Sequence, residues 1–425
     1  MSAIALSPAT AHYREAFDRL RPQLGGTAAR RVAAMERFAE LGFPGAREEA
    51  WKYTSLRRLE SRRFVPAAPA TALVDVPAAF VAQRLVLANG SPVGPVPAAL
   101  GGFALGTLAT APEAQLLRAF GGGGTERFAA LNAALATGPL LLSTATGQQS
   151  DDVLQLTLIT TGTGPTLASP RIAVHMAPGS RARLLIDHVD DGAQEHFTNA
   201  VLDIELSAGA HLTLYRLQRQ DARAFHIERM EARVGEHATF VMRDSQLGAA
   251  LARLDVNVSL DGRAAATEIT GVFLADGSRH LDSHIHVGHR AIETTSLQDY
   301  RGIAANKGRG VFNGKAIVHA GAQKSNARQV NRNLLLTTGA EIDAKPDLEI
   351  YADDVQCGHG TTTGQLDPNA LFYLRSRGLS EPDARSALTR AFAGAVLARV
   401  DEPALARYVH DELDRRLVRL LEVAE

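Results

Sequence analysis

The sequence predicts a mainly β protein, a β-solenoid set between helical regions, and three observations predict it. From about residue 152 to 366 the hydrophobic period is two, as in Leu154-Gln155-Leu156-Thr157-Leu158-Ile159, Leu202-Asp203-Ile204-Glu205-Leu206 and Leu212-Thr213-Leu214. Such alternation puts one set of side chains on a buried face and the other set outside. In the same stretch glycine recurs at Gly209, Gly235, Gly262, Gly288, Gly314, Gly339 and Gly364, at intervals of 26, 27, 26, 26, 25 and 25 residues. A strand-and-turn repeat of this length fits one solenoid coil, each coil burying small inward residues against the next. A sandwich of short strands is the competing architecture. Both flanks, by contrast, carry a helical period.

Residues 1–60 read as a helical region. Val32, Met35, Phe38 and Leu41 lie at helical spacing between Ala28 and Leu41, and Gly42-Phe43-Pro44-Gly45 stops the pattern. Residues 61–150 form a mixed Ala-, Gly- and Pro-rich region, with Gly121-Gly122-Gly123-Gly124 as a loop. No Lys-Ser or Lys-Thr follows that loop to make it a phosphate cradle. The strand core is placed at 151–367 and a C-terminal helical domain at 368–425. Ser380-Glu381-Pro382-Asp383 starts one C-terminal helix, with Ser as cap and Pro in the first turn. Its stripe is Ala384, Ala387, Leu388, Ala391, Phe392, Ala395 and Val396. Asp401-Glu402-Pro403 starts another, with Leu405, Val409, Leu413, Leu417 and Leu420 along one side. These stripes either join the core or meet a partner, and Ala387, Leu388 and Phe392 are the candidate docking residues.

Composition removes several classes. With 45% hydrophobic and 21% charged residues the chain is an ordinary globular one. A formal net charge of −1 supplies no field for nucleic acid or an anionic membrane. One cysteine excludes an internal disulfide framework and suits a reducing compartment. No apolar run reaches a membrane-spanning length, and the N-terminus does not read as a secretory signal, so a cytoplasmic protein is expected.

Chemistry concentrates in Leu348-Glu349-Ile350-Tyr351-Ala352-Asp353-Asp354-Val355-Gln356-Cys357-Gly358-His359-Gly360. Alternation puts Cys357 and His359 on one face of an extended segment. Thiolate and imidazole together suit zinc, iron or an iron–sulfur unit, but two ligands do not complete a tetrahedral site. The rest would come from elsewhere in the fold or from a second protein. Against this stands the plain reading of a small buried thiol and a satisfied histidine. Asp353 and Asp354 read as solvated turn residues. His280, His284, His286 and His289 make a second cluster, read as a solvent-facing strand. Gly310-Val311-Phe312-Asn313-Gly314-Lys315-Ala316 falls short of a P-loop by one residue of spacing and by Ala in place of Ser or Thr. A β-helix polysaccharide lyase or hydrolase is the enzyme alternative, but no spacing singles out a carboxylate pair.

Ordered stretches of the chain resemble the SufB/SufD family of iron–sulfur cluster assembly proteins. They are Ser296-Leu-Gln298-Asp-Tyr300-Arg-Gly302, Gly310-Val-Phe312-Asn-Gly314-Lys, Gln329-Val-Asn331-Arg-Asn333-Leu-Leu-Leu336, Lys345-Pro346 through Gly360, and Leu371-Phe-Tyr-Leu-Arg375-Ser-Arg377-Gly378. Arg47-Glu48-Glu49-Ala50-Trp51-Lys52-Tyr53-Thr54 is similar to the family's helical-domain signature. Gly360 after His359, Leu374 after Tyr373 and the single cysteine point to the SufD-like branch, with a SufB-like paralogue as the alternative. The resemblance implies a right-handed parallel β-helix with helical flanks and a non-catalytic scaffold role. It implies pairing with a SufB-like paralogue, docking of a SufC-like ABC ATPase on the C-terminal helices, and a homodimer as a plausible isolated form. It further implies that His359, and less firmly Cys357, would meet a transient iron–sulfur cluster or iron at the partner interface.

Overall fold

The computed structural model describes residues 6–23, 28–45, 47–67, 76–107, 110, 126–192 and 194–422. The tetraglycine at 121–124 and the side chain of Leu420 lie outside the described residues. The core strands are β1 (Gln149–Thr160), β2 (Arg171–Met176), β3 (Arg181–Asp190), β4 (His196–Leu206), β5 (His211–Gln218), β6 (Phe225–Val234), β7 (Thr239–Gln246) and β8 (Leu251–Leu260). They continue as β9 (Ala266–Ala275), β10 (His280–His289), β11 (Thr295–Ala304), β12 (Arg309–Val318), β13 (Asn326–Leu335), β14 (Glu341–Ile350) and β15 (Gln356–Gly364).

Odd strands stack in one parallel sheet and even strands in another, so the chain alternates between two faces and climbs. This is the expected solenoid, of about seven coils, and not a sandwich. The coil is longer than the glycine spacing suggests. Arg181, His211, Thr239, Ala266, Thr295, Asn326 and Gln356 stand in one column, in steps of 30, 28, 27, 29, 31 and 30 residues. The glycine series therefore drifts through the coil. Gly209 and Gly235 do serve corners: Gly209 has φ +67°, and a Cβ on Gly235 would stand 2.7 Å from the Leu206 carbonyl oxygen. Gly288 and Gly314, however, fall inside β10 and β12.

The interior follows from the period of two. Ala182, Leu184 and Ile186, then Leu212 and Leu214, then Phe240 and Met242, face Leu202, Ile204, Leu206, Met230, Ala232 and Val234 across the coil. Each fully buried aliphatic side chain contributes about 1.5–3 kcal/mol. Gly310 lies in β12, a regular strand and not a phosphate loop. A Cβ there would come within 2.4 Å of the Phe273 ring, so the motif makes room for an aromatic core.

Helices cover both outer faces. α1 (Pro8–Leu20), α2 (Ala28–Leu41) and α3 (Arg127–Leu135) bring Tyr13, Phe38 and Phe128 against Phe197, Phe225 and Leu251, a paired outward column on the even sheet. The Gly42 N–H closes α2 on the Phe38 carbonyl at 2.8 Å, with φ +56°. α4 (Pro368–Ser376), α5 (Glu381–Leu397) and α6 (Pro403–Glu422) follow the last strand. Ser380 caps α5 by accepting from the Asp383 N–H, as its sequence predicts. Ala393, Val396, Leu397, Leu405, Val409 and Leu413 pack on Leu185, Tyr215, Leu217, Val272 and Ile303 of the odd sheet.

Candidate functional site

The solenoid stops at β15, whose residues are exposed almost throughout, beside a half-buried β14. Register decides what this end presents. Ser296, Ala327 and Cys357 form one column, and Gln298, Gln329 and His359 the next. The first two members of each column are buried inside the coil. Cys357 and His359 therefore occupy inward-facing positions that no further coil covers, and share one face as the spacing predicts. Around them opens a recess of roughly 690 Å³ lined by Gln329, Asn331, Cys357, His359 and Thr361 among others. Cys357 packs beside Ala316, Val318, Ala322, Ala327 and Ala352, and partial burial raises its thiol pKa. Asp353 and Asp354 are exposed in the turn before β15, where the Asp354 carbonyl accepts from the Lys324 N–H. Cys357 and His359 belong to no group of three close metal-ligand side chains among the described residues.

The candidate docking stripe is divided by the structure. Ala387, Leu388 and Phe392 are half-buried on α5, and Arg301 lies over the Phe392 ring at 5.3 Å, tying it to the odd sheet. Two strongly exposed aromatic residues stand on α4, where Phe372 is 74% and Tyr373 57% accessible and no residue of the helix is buried.

The histidine strand differs from its sequence reading. His289 faces the interior, fully buried, with Nδ1 2.8 Å from Thr294 Oγ1 and Nε2 2.8 Å from Ser296 Oγ. Burial pushes its pKa down to about 4. His280 lies beside Thr54 at 2.8 Å, and His284 Nε2 is 3.0 Å from Asp282 Oδ1. Only His286 is exposed. Strand period alone left the outer face open to solvent, but the N-terminal segment covers part of it. Trp51 lies under Arg253 at 3.9 Å, Arg253 Nη1 donates to the Ala50 carbonyl, Thr54 Oγ1 donates to Asp282, and Lys345 pairs with Glu49 at 2.9 Å. The Arg47–Thr54 signature is thus a clasp between the helices and the even sheet.

Sequence reasoning also missed a charged network inside the coil. Arg216 continues the inward series Leu212-Leu214, so alternation alone would have placed it there. Its Nε donates to Glu228 Oε2 at 2.6 Å and its Nη1 to Asp244 Oδ1 at 2.7 Å, all fully buried. His188, His226 and Glu228 bring one ligand atom each within 4.8 Å of one another. The set invites a divalent ion, yet Arg216 Nη2 stands 3.2 Å from His226 Nε2 and its Nε already holds the carboxylate. The guanidinium occupies the cation's place, and the cluster is structural. Burial alone would raise the Glu228 pKa, but Arg216 and His188 hold it well below the usual carboxylate range. Burial pushes His226 down to about 3.

A parallel solenoid with helical flanks, its last coil ending in an inward-facing cysteine and histidine, defines the class of protein. Comparison identifies the family. A family model described as SUF system FeS cluster assembly, SufBD core domain, matches residues 158–392, and the chain belongs to that family. It is 30% identical over 389 residues to the iron–sulfur cluster assembly protein SufD of Escherichia coli, covering 90% of this chain and 91% of that one. A SufBD family protein of Synechocystis is 30% identical over 395 residues, 87% of each chain, and one of Mycobacterium tuberculosis 27% over 391 residues, 90% of each. No helix among the described residues is long and apolar enough to cross a membrane.

Proposed function

We propose that this chain is a non-catalytic scaffold subunit of an iron–sulfur cluster assembly complex, pairing through the open end of its solenoid with a SufB-like paralogue. The observation that carries the reading is the last coil. β14 and β15 end both sheets with unpaired backbone groups, the arrangement that accepts strands from another chain. Cys357 and His359 stand on that edge. A neutral imidazole nitrogen binds iron, and thiolates of the partner complete the set that this chain lacks. The nascent cluster is cargo, made at the junction and passed on. His359 is the ligand we assign first. Cys357, with its raised pKa and small apolar surround, is the secondary one.

ATP hydrolysis is assigned to a SufC-like ABC ATPase docked on the C-terminal helices. The exposed Phe372 and Tyr373 on α4 favour a docking surface that begins there and continues onto Leu388 of α5. Phe392 has the additional task of holding α5 to the sheet.

Anaerobic cluster reconstitution on the complex co-expressed with its two partners tests the reading, with iron content and visible absorption as readouts. His359→Ala should lose the cluster while the complex still co-purifies. Full cluster retention would reduce His359 to an interface residue and leave this subunit as an architectural and docking partner.

A further inference from the structure

The recess around Cys357 and His359 has a floor made of carboxamides. Gln298 on β11 and Gln329 on β13 precede His359 in the same inward column. Neighbouring strands lie about 4.8 Å apart, so paired side chains on one face are in reach of each other. Gln329 is 2% exposed and lines the recess. Neither its Oε1 nor its Nε2 has a hydrogen-bond partner within the chain. Gln298, one layer deeper, directs Nε2 to the Lys315 carbonyl at 3.4 Å and leaves Oε1 unpartnered. A buried polar group without a partner costs about 1–3 kcal/mol. The side chain beyond Gln329 in the column is the His359 imidazole.

We propose that Gln329 is a positioning residue for His359. Its carboxamide oxygen, free in this structure, is the acceptor for the imidazole N–H once the exposed His359 ring turns inward along the column, and the lone pair on the other ring nitrogen is thereby directed out of the open end. A neutral imidazole carries one N–H and one lone pair, and the bond made by the first decides where the second points. Without that acceptor the ring has two tautomers and two orientations, and only part of the population presents a donor to iron. Gln298 supports the arrangement by filling the layer beneath Gln329. The inference rests on the assignment of His359 as a ligand only for its consequence in cluster assembly. Both side chains belong to this chain.

The test therefore has two readouts. Long-range proton–nitrogen NMR on the ¹⁵N-labelled isolated chain reads the His359 tautomer with no cluster present. Wild type should show one dominant tautomer, Gln329→Leu a mixture, and Gln329→Glu, which keeps the acceptor oxygen, one tautomer again. Gln329→Met replaces the leucine variant if that does not fold. In the reconstituted complex, Gln329→Leu should lower cluster content about tenfold or more with the subunits still co-purifying, and Gln329→Glu should recover most of it. An identical tautomer ratio in wild type and Gln329→Leu overturns the inference. A tautomer that responds, in a complex where His359→Ala still assembles its full cluster, sustains the positioning role and rejects His359 as a ligand.

Discussion

The two ends of the solenoid are finished in opposite ways. At the first coil the parallel ladder turns antiparallel: residues 83–88 pair parallel with β1 and then antiparallel with Ser91–Pro92. On the other sheet residues 140–143 pair parallel with β2 and antiparallel with residues 103–106. These hairpins lay Phe103 and Leu105 across the end of the apolar interior. At the last coil nothing comparable follows β14 and β15 among the described residues. The inward columns also change character along the axis, from Leu156, Leu184 and Leu214 near the start to Gln329, Asn331 and His359 near the finish. An apolar interior has to be lidded, because exposed core is costly. A polar interior tolerates an open mouth. The closed end is a device of stability, and the open end, on the function proposed above, a device of assembly.

If so, substitutions near the closed end should cost folding and those at the open end should cost partnership. The largest loss is expected from Arg216→Met, which leaves Glu228 and Asp244 buried without their cation. A destabilisation of about 3–5 kcal/mol should appear in denaturant unfolding. Phe197→Ala, beneath the N-terminal helices, should also cost about 3–5 kcal/mol by opening a cavity. Thr361→Ala on β15 should stay within about 0.5 kcal/mol in the isolated chain. Comparable losses at all three positions would erase the contrast between the ends.

His289 sharpens the comparison through pH. Its folded pKa, about 4, lies below the ordinary histidine value of 6.5, so the unfolded chain binds more protons between those values. Its contribution is present above pH 6.5 and is lost as pH falls toward 4, at up to about 1.4 kcal/mol per unit. Unfolding at pH 7, 6 and 5 should show a shallower decline for His289→Asn than for wild type. Parallel declines would remove His289 from the account. The smallest effect on folding, and a large one on assembly, is expected from Phe372→Asp. Stability should change by no more than about 0.5 kcal/mol, while co-purification of the ATPase partner falls away. Undiminished co-purification would move the docking surface off α4.

Much of this was legible residue by residue. Alternation located the strands, and the Ser380 and Asp401 signals located the ends of the C-terminal helices. The placing of Cys357 and His359 on one face needed only the period of two. The coil length was misread because glycine at a corner and glycine beside Phe273 look alike in a sequence, although one answers to backbone conformation and the other to ring volume. Which side of the C-terminal stripe packs on the sheet was not legible for a related reason. An apolar helix face is the same pattern whether a sheet or a partner covers it.

The sequence by itself determined the solenoid class, the helical flanks and the family, since these rest on local period and on ordered short motifs. The tertiary structure alone decided which residues share a column. Only stacking puts Gln298, Gln329 and His359 in line across 61 residues of chain, and only docking of the N-terminal segment buries Asp282 beneath Thr54. Those neighbours are set by strand register and by what lies on the outer faces. Both arise from contacts between distant segments, which no local pattern encodes.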